Sequence, residues 1–117
     1  METKMDYEIE IIGKAALIKM PGDFSIFSKG LLDEIFELNG EKKIHYFAFD
    51  LSNTKRVDSV GMLCILEAGR LGLENGRKAA LIRTHERIRN TIQKAGLSRF
   101  AEFFEEREAA LGYLRTN

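Results

Sequence analysis

The stretch Tyr46–Leu66, YFAFDLSNTKRVDSVGMLCIL, decides how the chain is read. Phe47, Phe49 and Leu51 alternate with Ala48 and Asp50, a strand pattern whose second face is also mostly small or apolar. Ser52-Asn53-Thr54 breaks it, because side chains that hydrogen-bond the nearby backbone compete with a ladder. From Met62 the apolar residues resume without a gap, as in a helix packed around most of its circumference. Asp58-Ser59-Val60-Gly61 opens that helix. Its serine falls where backbone N–H groups lack intrahelical partners and the helix dipole favours negative charge.

On the N-terminal side, Tyr7, Ile9 and Ile11 alternate with Glu8 and Glu10. Ile12-Gly13-Lys14 reads as a turn and Ala15 to Lys19 as a second strand, which makes a hairpin ended by Pro21-Gly22-Asp23. Leu31, Leu32, Ile35, Phe36 and Leu38 then follow at helical spacing, with Ser25 or Asp23 as the N-cap and Asn39-Gly40 as the stop. On the C-terminal side, the central helix closes near Asn75-Gly76. Lys78–Arg83 is a strand, and Thr84 can cap a helix carrying Ile88, Ile92 and Ala95 inward before Gly96. Phe100–Phe104 suggests a short strand, and Glu105–Leu114 a last helix. Helices joining the later strands imply parallel pairs by right-handed crossovers, while the hairpin is antiparallel. The expectation is a single α/β domain over residues 1–117 with a mixed sheet.

A chain of 117 residues suits one domain. Its hydrophobic fraction of 44% and charged fraction of 31% suit a soluble globular protein. Eighteen acids balance 18 bases, against general binding to nucleic acid or anionic membrane. The lone Cys64 excludes an internal disulfide, and its apolar setting suits a core residue rather than a zinc or redox site. The N-terminus is charged, and the longest apolar run, Met62–Leu66, is far short of the ~20 residues that cross a bilayer. A cytoplasmic location without direct membrane insertion is the expectation.

Catalysis finds little support. His45 and His85 lack partners at metal-ligand spacing, so no metal is expected. Val57-Asp58-Ser59-Val60-Gly61 lacks the first glycine of a nucleophile elbow, and no Gly-Lys-Ser/Thr phosphate loop exists, so no nucleotide cofactor is expected. A receiver-like phospho-acceptor is a fairer rival, with Asp50 and Thr84 at superficially matching places. It lacks the acidic pair that would hold Mg²⁺ near Lys19–Asp23.

Ser59 remains. One reading makes Asp58 or Ser59 simply the helix cap, worth about 1 kcal/mol. Alternatively Ser59 is a phosphorylation switch, since a phosphate adds about −1.5 to −2 charges and three strong acceptors. A helix start tolerates an anion, whereas Asp58 opposes it by repulsion. The change falls on surface potential, so a partner docked there is repelled.

These residues resemble the sulfate-transporter and anti-sigma-factor-antagonist (STAS) domain family, of the antagonist type. The resemblance rests on Phe49-Asp50-Leu51-Ser52 and then Val57-Asp58-Ser59-Val60-Gly61 opening an apolar helix. It continues through Asn75-Gly76-Arg77-Lys78, Ile88 to Gly96-Leu97, and Glu108-Ala109-Ala110-Leu111, and so covers nearly the whole chain. Three positions depart from the pattern. Val60 stands where a second serine is common, Ser25 aligns with a frequent acid that Asp23 precedes by two residues, and Lys55-Arg56 replaces apolar residues.

The resemblance implies a mixed sheet that begins with an antiparallel hairpin and carries its helices mainly on one face. It implies a non-enzymatic regulator in a partner-switching pathway. Such a protein binds an anti-sigma factor that is also a serine kinase, of the histidine-kinase-like ATPase fold, and is released when the kinase phosphorylates Ser59. A metal-dependent serine phosphatase resets it. Asp58 and Gly61 are expected to support the phosphosite. The expected docking surface comprises Asp23, Phe24, Ser25, Thr54, Lys55, Arg56, Val60 and Met62, with Phe24, Ile26 or Phe27 either exposed as apolar contacts or buried. The alternative is a structural STAS subunit of a stress-sensing scaffold or lipid-transporter complex, with Ser59 a cap or contact.

Overall fold

The computed structural model describes residues 7–24 and 29–115. The hairpin forms as expected, with β1 (Glu8–Ile12) antiparallel to β2 (Ala15–Lys19) and Gly13 in the left-handed region at φ 61° in the turn. There follow β3 (Asp23–Phe24), α1 (Lys29–Glu41), β4 (Tyr46–Asp50), β5 (Arg56–Val57) and α2 (Ser59–Leu73). The chain continues through β6 (Ala79–Ile82), α3 (Glu86–Lys94), a 3₁₀ turn at Leu97–Arg99, β7 (Ala101–Phe104) and α4 (Arg107–Arg115). The main sheet has the order β1-β2-β4-β6-β7, in which only the β1–β2 pair is antiparallel. This is the expected mixed α/β architecture.

Alternation along β4 divides the interior in two. Phe47 and Phe49 point into the larger core with residues of α1, α2 and α3, including Leu31, Ile35, Ile65, Ala68, Ile88 and Ile92. Ala48 points the other way, where Ala15, Leu17, Ala80 and Ile82 receive Ala110 and Leu114 of α4. Three helices therefore lie on one face and α4 on the other. Small residues at Ala48 and Ala80 let α4 approach its face closely, which explains why a central strand with one small side still reads as buried on both.

The structure departs from the sequence reading at several boundaries. The short strands β3 and β5 pair in parallel as a separate two-stranded sheet, and neither is long enough to show periodicity. Helix α1 runs through Asn39-Gly40 to Glu41, with the Asn39 amide donating to the Ile44 carbonyl at 3.0 Å just beyond the helix end. Asp23 lies in β3 rather than at a helix start, and the rival cap Ser25 is outside the described residues. Thr84 does not cap α3. His85 occupies the N-cap position, and the Thr84 hydroxyl is buried with no hydrogen-bond partner. Ala95 is exposed beyond the end of α3 rather than facing inward.

Candidate functional site

The Ser59 corner is a short loop tied down along its length. The amide of Leu51 donates to Ile82 O at 3.0 Å, and Thr54 N closes a turn on Leu51 O at 3.0 Å. The Thr54 hydroxyl then donates to Pro21 O at 2.8 Å. Lys55 N bonds Gly22 O at 2.7 Å and Asp58 N bonds Phe24 O at 3.1 Å, so segment 21–24 runs alongside the loop as β3 against β5. These bonds satisfy backbone groups that strands of two residues cannot satisfy between themselves.

Asp58 is the cap of α2. Its Oδ1 accepts from Val60 N at 2.9 Å and from Gly61 N at 3.1 Å. Ser59 is the first helical residue, exposed, and among the described residues its hydroxyl has no hydrogen-bond partner. The choice between the two caps is thereby decided in favour of Asp58. It also follows that two amides of the α2 start are occupied by a carboxylate, so a phosphate on Ser59 can use them only by displacing Asp58. The repulsive contribution of Asp58 is larger than the sequence suggests, and the free-donor contribution smaller.

Gly61 permits the close packing on which this corner depends. A Cβ there would stand 2.3 Å from the Phe24 carbonyl oxygen and 3.0 Å from Val57 Cγ1. The helix start thus sits directly on β3 and β5.

The expected docking residues fall into three groups. Lys55 and Arg56 are exposed, and Arg56 Nε donates to Asp23 Oδ1 at 3.0 Å, which raises the Arg56 pKa first through that hydrogen bond. Asp23, Val60 and Met62 are half-buried, Met62 packing against the main core. Phe24 and Thr54 are buried, which corrects their reading as surface contacts. The Phe24 ring lies 5.5 Å from that of Phe49, and Thr54 faces Pro21. Both position the surface from behind. Ser25, Ile26 and Phe27 lie outside the described residues.

One surface residue was missed. Leu63 is 40% exposed and lies one turn beyond Ser59, on the same side of α2. Its spacing of four from Ser59 was visible in the sequence, but the continuous run Met62–Leu66 concealed which member faces outward. Cys64, beside it, points inward, and burial pushes its thiol up to about 12, with Asp58 adding to the effect.

Residues 6–110 match the family model of the STAS domain, and the chain belongs to that family. The solved structures it resembles include the anti-sigma factor antagonist SpoIIAA in its unphosphorylated form. That likeness has a TM-score of 0.74 at 13% identity and covers 95% of this chain and 99% of that one. The Bacillus cell fate determinant SpoIIAA in its phosphorylated form matches with a TM-score of 0.69 at 16% identity, over 88% and 95% of the two chains. An anti-sigma factor antagonist from Mycobacterium paratuberculosis matches at 0.76 and 19% identity, over 94% and 93%. The murine solute carrier 26 family member A9 anion transporter matches at 0.66 and 15% identity, over 92% of this chain but 19% of the transporter. At these identities the likeness is one of fold. No curated protein matches the chain. Among the described residues, no helix is long and apolar enough to cross a membrane.

Proposed function

We propose that the protein is a non-enzymatic regulator whose binding to a partner is switched by phosphorylation of Ser59. The observation that carries this reading is the division of labour at the α2 start. Asp58 does the capping, which leaves the Ser59 hydroxyl exposed, and without a partner among the described residues, on a corner braced by β3 and β5. A serine needed for structure would be engaged, whereas this one is presented.

The partner class proposed is an anti-sigma factor with serine-kinase activity. It transfers the γ-phosphoryl group of ATP to Ser59 Oγ, a bond to phosphorus forming as the bond to ADP breaks and the hydroxyl proton leaves. The unmodified protein holds the partner through Ser59, Leu63, Val60 and the exposed Lys55 and Arg56. The phosphate adds dianionic charge next to Asp58 at a surface that must shed water on docking, and repulsion with desolvation ends the complex. A metal-dependent serine phosphatase restores the hydroxyl. The kin described as antagonists, one of them known in both phosphorylated and unphosphorylated forms, support this reading.

Incubation with the serine kinase that binds the protein, and ATP, is expected to add one phosphate by intact mass, and Ser59→Ala to add none. Equal modification of the alanine variant would remove Ser59 from its assigned role. The likeness to a transporter's domain favours a second reading, a subunit of a larger assembly in which Ser59 is a contact. Isolation of the protein in a stable complex with transport components, without any kinase, selects it.

A further inference from the structure

We infer that β1 is a pairing edge for a second copy of this chain, which joins two sheets into one across a two-fold axis. Among the described residues, β1 is the outer strand of the main sheet, bonded to β2 on one side only. An open edge of this kind presents a row of backbone donors and acceptors to any strand that can match it. At the opposite edge, cations cover β7, with Arg89 stacked 4.6 Å over the Phe103 ring and Lys78 3.7 Å from Glu102. β1 carries no cation of its own. Instead it exposes Ile11, at 48% the most exposed of the large hydrophobic side chains among the described residues.

Charge selects the second copy as occupant, and charge together with the exposed Ile11 favours one register. In an antiparallel pair related by a two-fold axis perpendicular to the sheet, each residue meets one on the same face of the joint sheet. Centring the pair on Glu10 would set two carboxylates directly opposite, and centring it on Ile9 would set Glu8 against Glu10, both unfavourable. Centring it on Ile11 puts the exposed isoleucine against its counterpart and Glu10 against Ile12. Glu10 is already neutralised within its own chain by Arg107, 3.2 Å away. The same register carries Glu8 to the hairpin turn of the other copy, where Lys14 is exposed, so two Glu8–Lys14 pairs flank the Ile11 contact. The edge is thus complementary to itself. Because the joined strands are antiparallel, the two Ser59 corners face opposite ends of a continuous sheet and both stay accessible.

Sedimentation equilibrium of the full chain from low micromolar to near-millimolar concentration tests this. A dimer that grows with concentration is expected, together with its loss in Ile11→Lys at every concentration. Glu8→Lys and Lys14→Glu should each weaken association, and the double reversal Glu8→Lys/Lys14→Glu should regain it, with circular dichroism confirming that each variant folds. A wild-type chain that stays monomeric throughout overturns the inference. So does an Ile11→Lys variant that still dimerises, or a double reversal that associates no better than the single changes.

Discussion

Asp23 and Arg56 meet twice. Their Cα atoms are partners in the β3–β5 ladder, and their side chains form an ion pair at 3.0 Å. The pair lies in water, with side-chain exposures of 44% and 79%, so it holds the fold together only weakly. Its significance is position. It places a guanidinium three residues before Ser59 and fastens the loop that carries the serine to the segment leading into α1.

Once Ser59 carries a phosphate, this guanidinium should influence its ionisation. A nearby cation favours the dianion and a nearby carboxylate the monoanion. In a phosphorus NMR titration of the phosphorylated protein, Arg56→Gln should raise the second phosphate pKa relative to wild type. Asp58→Asn should lower it. Unchanged midpoints in both variants would mean that the phosphate points away from the loop charges.

Removal of the cap and removal of the switch should have separable effects on stability. Asp58→Ala deprives two amides of their acceptor and should cost about 1 kcal/mol in urea denaturation. Ser59→Ala removes a hydroxyl without a partner among the described residues and should change stability by less than about 0.5 kcal/mol. A comparable cost for both would return the serine to a capping role.

Two glycines in helices should respond oppositely to alanine. At Gly61 the new Cβ meets the Phe24 carbonyl, a backbone atom that cannot swing aside, and the loss should be on the order of 1–3 kcal/mol. At Gly40, inside α1, the new Cβ meets nothing within 4 Å, and helix propensity should yield a gain of about 0.5 kcal/mol. Thermal or urea melts of the two variants check both signs.

The strand at 46–50 and the helix from Ser59 were legible because each has enough residues to show a period and each ends in recognisable punctuation. The same holds for the hairpin, where Gly13 supplies the turn conformation. β3 and β5 were not legible, since two residues carry no alternation and their pairing depends on a contact between segments some 30 residues apart. Thr54 was misread for a related reason. A threonine in a polar loop looks solvated until the Pro21 carbonyl is placed against its hydroxyl, which burial then requires to be satisfied. Phe24 illustrates the converse: its burial follows from Gly61, whose missing side chain lets α2 close over β3. Within the corner itself, the acidic cap and the presented serine were both named, but only the Asp58 bonds to Val60 and Gly61 assigned the roles.

Cys64 predicts a slope of stability with pH. Its folded pKa, pushed up to about 12 by burial, exceeds the unfolded value of about 8.5. The unfolded chain therefore binds fewer protons between those values, and stability falls as pH rises through that window. Below it the contribution is fully present. Tyr7, raised by burial and by its hydrogen bond to Glu34, adds a loss of the same sign at higher pH. Cys64→Ala should flatten the decline between about pH 8.5 and 10, before the unfolded tyrosine begins to ionise. Thiol-specific reagents should modify the wild type only as fast as the protein opens.

A phosphate on Ser59 is expected to end a complex that the bare serine supports. Calorimetric titration of the kinase partner into the unmodified protein and into protein fully phosphorylated at Ser59 measures it directly. Phosphorylation should weaken binding by at least about tenfold, roughly 1.4 kcal/mol, with Ser59→Ala binding like the unmodified chain. Equal affinity for the two forms would contradict it.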